Sequence, residues 1–200
     1  MSATLSVTGP VVINFDTLLK KMDDEEFYQF CRINRELRIE RTKEGDLIIM
    51  PPATTITGSR NFELTGSFWA WVKQDGTGKG FDSSTGFTLP NGAKRSPDLS
   101  WMRIERWNAL PASERNKFAA VCPDFVVELR SKTDSLKTLQ AKMNEYIENG
   151  AQLGWLIDPI KKRVHIYRPE ASVEVLDNPQ TVSGEPLLRG FTLDVQSIWE

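Results

Sequence analysis

The sequence predicts one domain of mixed helix and strand, α/β or α+β, spanning all 200 residues. Three observations carry that reading. The apolar runs 125–129 and 153–157 read as buried strands. Between them Leu136, Leu139, Met143, Tyr146 and Ile147 recur at helical spacing, so strand, helix and strand follow in order. Hydrophobic residues make up 40% and charged residues 26%, which excludes wholesale disorder, and six Trp with ten Phe can fill a core.

The remaining elements follow along the chain. Asp23 caps an acidic first turn, and Phe27, Phe30 and Cys31 continue the helix to about Asn34. Residues 37–41 alternate, Glu44-Gly45-Asp46 turns and 47–50 is apolar, which makes a hairpin ended by Pro51-Pro52. A helix opening near Thr57 or Ser59 puts Leu64, Phe68 and Trp71 on one face. Residues 74–80 read as a glycine-rich, flexible break. Residues 81–89 read as a strand interrupted at Ser83-Ser84, and Pro90-Asn91-Gly92 as a turn. Residues 99–102 form a short strand and 105–118 short helices. Asn149-Gly150 closes the helix that carries Met143, and strands are expected at 164–167, 173–176 and 191–195.

Composition narrows the function. The net charge of −2 gives no global basic field, so any nucleic-acid contact must be local, with Lys161-Lys162-Arg163 the densest basic cluster. Cys31 and Cys122 are far apart without CxxC spacing, which argues against a zinc knuckle or disulfide scaffold and fits a reducing cytoplasm. The single histidine, His165, lies in an alternating strand pattern, so histidine-rich metal sites are excluded. Met1 to Pro10 lack a leader pattern, and no apolar run is long enough to span a bilayer.

Glu128 stands inside an apolar strand, where a carboxylate is costly unless paired or bound to a metal. Alternation puts Asp124, Val126, Glu128 and Arg130 on one face, and a Glu128–Arg130 ion pair is the structural alternative. Ser96-Pro97-Asp98 opens one strand and Pro123-Asp124 opens the Glu128 strand. If those strands pair, Asp98 and Glu128 converge, and two carboxylates with a carbonyl and water suit Mg²⁺. Lys142 flanks the helix stripe, where its stem can run along the sheet and bring the ammonium toward the carboxylates. Arg130 can reach a phosphate but cannot act as a base. Glu63, near a helix start, is a candidate third carboxylate or a solvated one. Gly76-Thr77-Gly78-Lys79-Gly80 lacks phosphate-loop spacing.

Ser96-Pro97-Asp98, Pro123-Asp124-Phe125-Val126-Val127-Glu128, Lys142-x-x-x-Tyr146 and Gly154-Trp155-Leu156-Ile157-Asp158-Pro159 together resemble the Uma-two family. These are bacterial proteins described as restriction endonucleases of the PD-(D/E)XK superfamily. The resemblance runs from about Asp24 to the C-terminus. It implies an α/β, restriction-endonuclease-like core: a mixed β-sheet flanked by helices in the order α-β-β-β-α-β, over about 57–159, with extra N- and C-terminal hairpins. Asp98 and Glu128 match the two acids. Arg130 stands where the superfamily has lysine, and Lys142 matches a lysine moved to the following helix. The implied activity is Mg²⁺-dependent hydrolysis of DNA phosphodiester bonds, with Mn²⁺ as a possible substitute. Asp98 and Glu128 would hold the metal, with Glu63 and Asp124 as weaker carry-overs, and Lys142 and Arg130 would serve the phosphate. Lys161, Lys162 and Arg163 would contact the DNA backbone, and a homodimer would supply the two sites that a duplex needs. The alternative is a non-catalytic nucleic-acid or protein-binding module on the same fold, favoured by Arg130 and the acidic charge balance.

Overall fold

The computed structural model describes residues 9–13 and 22–200. All but Gly9 and Pro10 of the stretch inspected for a leader therefore lies outside the described residues. In chain order the elements are β1 (Val11–Ile13), α1 (Asp24–Ile33), β2 (Arg38–Arg41), β3 (Leu47–Met50), α2 (Thr55–Asp75), β4 (Gly78–Asp82), β5 (Phe87–Thr88) and β6 (Lys94–Arg95). They continue as β7 (Leu99–Arg103), α3 (Ile104–Ala109), α4 (Ala112–Arg115), β8 (Phe125–Leu129), α5 (Leu136–Glu148) and β9 (Leu153–Asp158). The chain ends with β10 (Arg163–Tyr167), β11 (Glu174–Asp177), β12 (Thr181–Ser183), β13 (Thr192–Asp194) and α6 (Gln196–Trp199).

The central sheet has six strands in the order β11-β10-β9-β8-β7-β4. It is mixed: β8 and β9 are parallel and joined through α5, and the other neighbours are antiparallel. The core order α2-β4-β7-β8-α5-β9 is the α-β-β-β-α-β succession expected from the sequence. Alternation along β8 decides which helix covers which face. Phe125, Val127 and Leu129 pack with Leu64 and Phe68 of α2 and with Ile198 and Trp199 of α6. Val126 packs on the other side, with Met143 and Tyr146 of α5. Glu128 follows Val126 by two residues and so faces α5.

A second sheet, β1-β3-β2-β6-β5, is built on the predicted hairpin. Asp23 fixes the start of α1 beside it with a reciprocal capping box: its Oδ1 accepts from Glu26 N at 2.8 Å while Glu26 Oε2 accepts from Asp23 N at 2.9 Å. The strand expected at 81–89 is instead two strands in different sheets. Asp82 Oδ1 accepts from the Ser84 N–H and hydroxyl, and the chain turns there, so β4 stays in the central sheet while β5 crosses to the second.

The glycine-rich break is a further correction. Gly76, at φ 68°, does end α2, but Gly78 and Gly80 lie in β4, paired with β7. Gly78 is glycine for packing rather than flexibility. A Cβ there would meet the Trp101 ring at 2.3 Å and the Met102 carbonyl at 2.4 Å. Gly78→Ala should therefore destabilise the protein by about 1–3 kcal/mol, or more if the backbone cannot shift. Chemical denaturation would read this, and an unchanged midpoint would contradict the packing account.

Candidate active site

The site forms where β7 and β8 meet the middle and C-terminal half of α5 and the β2 and β6 strands of the second sheet. Leu99 pairs with Val127 across the antiparallel β7–β8 ladder, so extending the register sets Asp98 opposite Glu128. Asp98 Oδ2 accepts the Leu129 N–H at 2.8 Å, which fixes this carboxylate at the end of β8. Glu128, with its side chain 6% exposed, receives Lys142 Nζ on Oε1 at 2.8 Å. The Tyr146 hydroxyl donates to the same oxygen at 3.0 Å. Lys142 and Tyr146 are four residues apart on α5, which stacks them on one helix face.

The second sheet supplies the other half. Arg38 and Glu40 flank Ile39 on β2 and share a face. Glu40 Oε1 lies 2.8 Å from Lys142 Nζ, and Oε2 lies 3.1 Å from Arg95 Nη1. The Ser96 N–H donates to Glu40 Oε1 at 3.0 Å. Arg38 Nη2 donates to Asp98 Oδ1 at 3.2 Å and to the Ser96 carbonyl at 3.0 Å. Arg95 Nε closes the network on Glu145 Oε2 at 2.6 Å.

The charges are unevenly settled. Burial raises the Glu128 carboxyl; Lys142 opposes this, but Asp98 and Glu40 add to it, and the group is pushed up to about 7. Burial also acts to raise Glu40, yet Lys142, Arg95 and the Ser96 N–H outweigh it and hold the group below the usual carboxylate value. Burial acts to lower Lys142, but Glu128 and Glu40 keep its ammonium protonated above the ordinary range. The Tyr146 phenol is driven well up by burial and by Glu128 and Glu40, so it remains a donor.

Of the residues singled out in the sequence, Asp98, Glu128 and Lys142 come together. Arg130 does not join them, and the Glu128–Arg130 pair does not form. β8 ends at Leu129, and Arg130 bonds the end of β9 instead: its N–H donates to the Ile157 carbonyl at 2.9 Å and Nη1 lies 2.8 Å from Asp158 Oδ2. Asp124 shares the face of Glu128 but sits four residues away, about 13 Å along a strand. Its carboxylate is taken by Arg103 Nη1 at 3.3 Å and Arg106 Nη1 at 3.0 Å. Glu63 is exposed on α2, whose core residues pack on the opposite face of the sheet. Lys161, Lys162 and Arg163 are exposed at the β9–β10 turn, at the end of the sheet where β8 also finishes. His165 lies buried within β10.

Glu40, Arg38 and Arg95 were not anticipated from sequence, and Tyr146 entered there only as a core position and within the Lys142-x-x-x-Tyr146 motif. The one available signal was the alternation of charged Arg38, Glu40 with apolar Ile39 in a short strand. Among the described residues, no group of three or more His, Cys, Asp or Glu side chains is gathered as a metal cage. The donor set nevertheless suits Mg²⁺, which takes one or two carboxylates and keeps several waters. Asp98 and Glu128 offer hard oxygens, and a carboxyl raised by burial and by its acidic neighbours gains from an added cation.

The Uma2 family model, described as "Putative restriction endonuclease", matches residues 24–196. Among solved structures, the chain is similar to "a putative nuclease belonging to DUF820 from Anabaena variabilis ATCC 29413", with 25% identity and a TM-score of 0.68, over 82% of this chain and 90% of that one. No curated protein matches. The family match contains the central sheet, the second sheet apart from β1, and every residue of the network from Arg38 to Tyr146, and the chain therefore belongs to the Uma2 family.

Proposed function

We propose that this protein is a cytoplasmic, Mg²⁺-dependent endonuclease of the PD-(D/E)XK type that hydrolyses DNA phosphodiester bonds. The observation that carries the reading is Glu128, a buried carboxylate paired with a helix lysine and facing Asp98 across the ladder. Asp98 and Glu128 would hold the ion, with the Leu129 carbonyl as a neutral ligand. When bound, the ion lowers the pKa of a coordinated water and offsets charge on the phosphate. Mn²⁺ would substitute.

The chain's own groups divide the rest of the work. Lys142 and Tyr146 both engage Glu128 Oε1, which leaves Oε2 for the cation. The Lys142 ammonium has three donors, two of them directed at Glu40 and Glu128, so one is available for the attacking water or a phosphate oxygen. Glu40 and Tyr146 act as positioning residues, because they fix where Lys142 and Glu128 point. Arg130 is tied to Asp158 through Nη1 and to the Asp134 carbonyl through Nε, and its Nη2 can be offered to a neighbouring phosphate. Lys161, Lys162 and Arg163 rim the same end of the sheet and would contact the DNA backbone. A homodimer would cut both strands. The second reading, a binding module, draws on the charge balance already met inside the chain, where Lys142 serves both Glu40 and Glu128.

Plasmid cleavage tests the enzyme reading. Wild type should nick DNA in Mg²⁺ or Mn²⁺ and be silent in EDTA. Glu128→Gln and Lys142→Met should each lose at least about a hundredfold in rate. No cleavage by the wild type in either metal would favour the binding module.

Stability without metal gives an independent check. Glu128 titrates near 7 when folded against an ordinary 4.5, so between those values the folded state holds the extra proton. Its contribution is present below about pH 4.5 and is lost as pH rises toward 7. In EDTA at pH 8, Glu128→Gln should then be more stable than wild type by about 1–3 kcal/mol, with the gap closing in acid. A loss of about 3–5 kcal/mol would instead make Glu128 a structural counter-ion.

A further inference from the structure

Resting on the metal-site reading above, the structure raises the question of what neutralises Asp98 in the free protein. Both of its oxygens are engaged: Oδ2 by the Leu129 N–H at 2.8 Å and Oδ1 by Arg38 Nη2 at 3.2 Å. A carboxylate that binds an ion must present at least one oxygen. The Leu129 N–H is a backbone donor at the end of β8 and cannot move without disturbing the ladder. Arg38 can move. Its side chain is 35% exposed, its bond to Asp98 is at the long end of the hydrogen-bond range, and its buried Nε has no hydrogen-bond partner among the described residues. Among the described residues, the guanidinium is therefore fastened only through Nη2, to Asp98 and the Ser96 carbonyl.

Its electrostatic surroundings are those of a divalent ion. Burial works against the Arg38 charge, but Asp98, Glu128 and Glu40, in that order, hold it protonated. The same three carboxylates would be the acidic neighbours of an ion on Asp98 Oδ1. Arginine and metal cannot share that oxygen without bringing two cations into contact.

We propose that Arg38 is a resident counter-cation that competes with the divalent ion for Asp98 Oδ1 and so sets the metal affinity of the site. Glu40 on the same strand holds Lys142 on the other side, so β2 presents both a charge that keeps the lysine in place and a charge that must yield. The competition predicts an unusual sign: removing a residue from the site should improve metal binding.

The test is calorimetric titration of the full chain with MnCl₂ in the absence of DNA. Arg38→Met should bind Mn²⁺ about tenfold more tightly than wild type, the factor associated with losing one charged hydrogen-bonding competitor. Its metal-induced rise in Tm should also exceed that of wild type. Arg38→Lys, which keeps a cation without the planar fork, should fall between the two and serves if the methionine variant does not fold. Unchanged or weaker binding in both variants, with wild-type binding abolished by Glu128→Gln, would overturn the competition while leaving the metal site standing. No binding heat from wild type or either Arg38 variant would overturn the metal site and the competition together.

Discussion

One buried ammonium holds this architecture together at its functional end. Lys142 Nζ lies 2.8 Å from both Glu40 and Glu128, which come from different sheets. Deleting Lys142 leaves two buried carboxylates without full compensation, at a cost of several kcal/mol, far above that of an exposed pair. The interaction therefore does more than neutralise Glu128. It fixes β2 against β8 through α5, and Arg95 extends the clamp by joining Glu40 to Glu145 on the same helix. Charge adds to apolar packing in setting the position of the second sheet.

The two faces of the central sheet carry different loads. The α2 face is aromatic: Phe68 contacts Phe125 and Phe191, and Trp155 stacks on Phe191 at 5.8 Å. Such a core is stiff and closely filled. The α5 face carries Glu128 and Tyr146 beside Met143 and Leu156. A rigid apolar layer behind β8 lets the polar layer in front keep its carboxylates within a fixed geometry, which positions the site without a loop having to close over it.

Much of this was legible in the sequence because it depends on local periodicity. The α5 stripe, the apolar β8 and β9, the acid interrupting β8 and the Pro97-Asp98 strand opening are local signals; they gave the core order and singled out Asp98, Glu128 and Lys142, which the fold brings together. What was not legible depends on contacts between distant segments. Arg38 and Glu40 look like ordinary strand charges until β2 is set against α5, 102 residues away for the Glu40–Lys142 bond. Gly78 looked like a flexible joint because the Trp101 ring that demands a glycine lies on the paired strand. Arg130 seemed the natural partner of Glu128 by alternation, but the strand ends one residue too early and Asp158 captures it.

The central claim is that Asp98 and Glu128 form a cation site supported by Lys142. It is tested most directly by a crystal structure grown with Mn²⁺ and phased for the anomalous signal of that metal. One strong anomalous peak is expected in contact with both carboxylates, with Lys142 still bonded to Glu40. A well-ordered structure with no peak there, and with Arg38 still on Asp98, would contradict it.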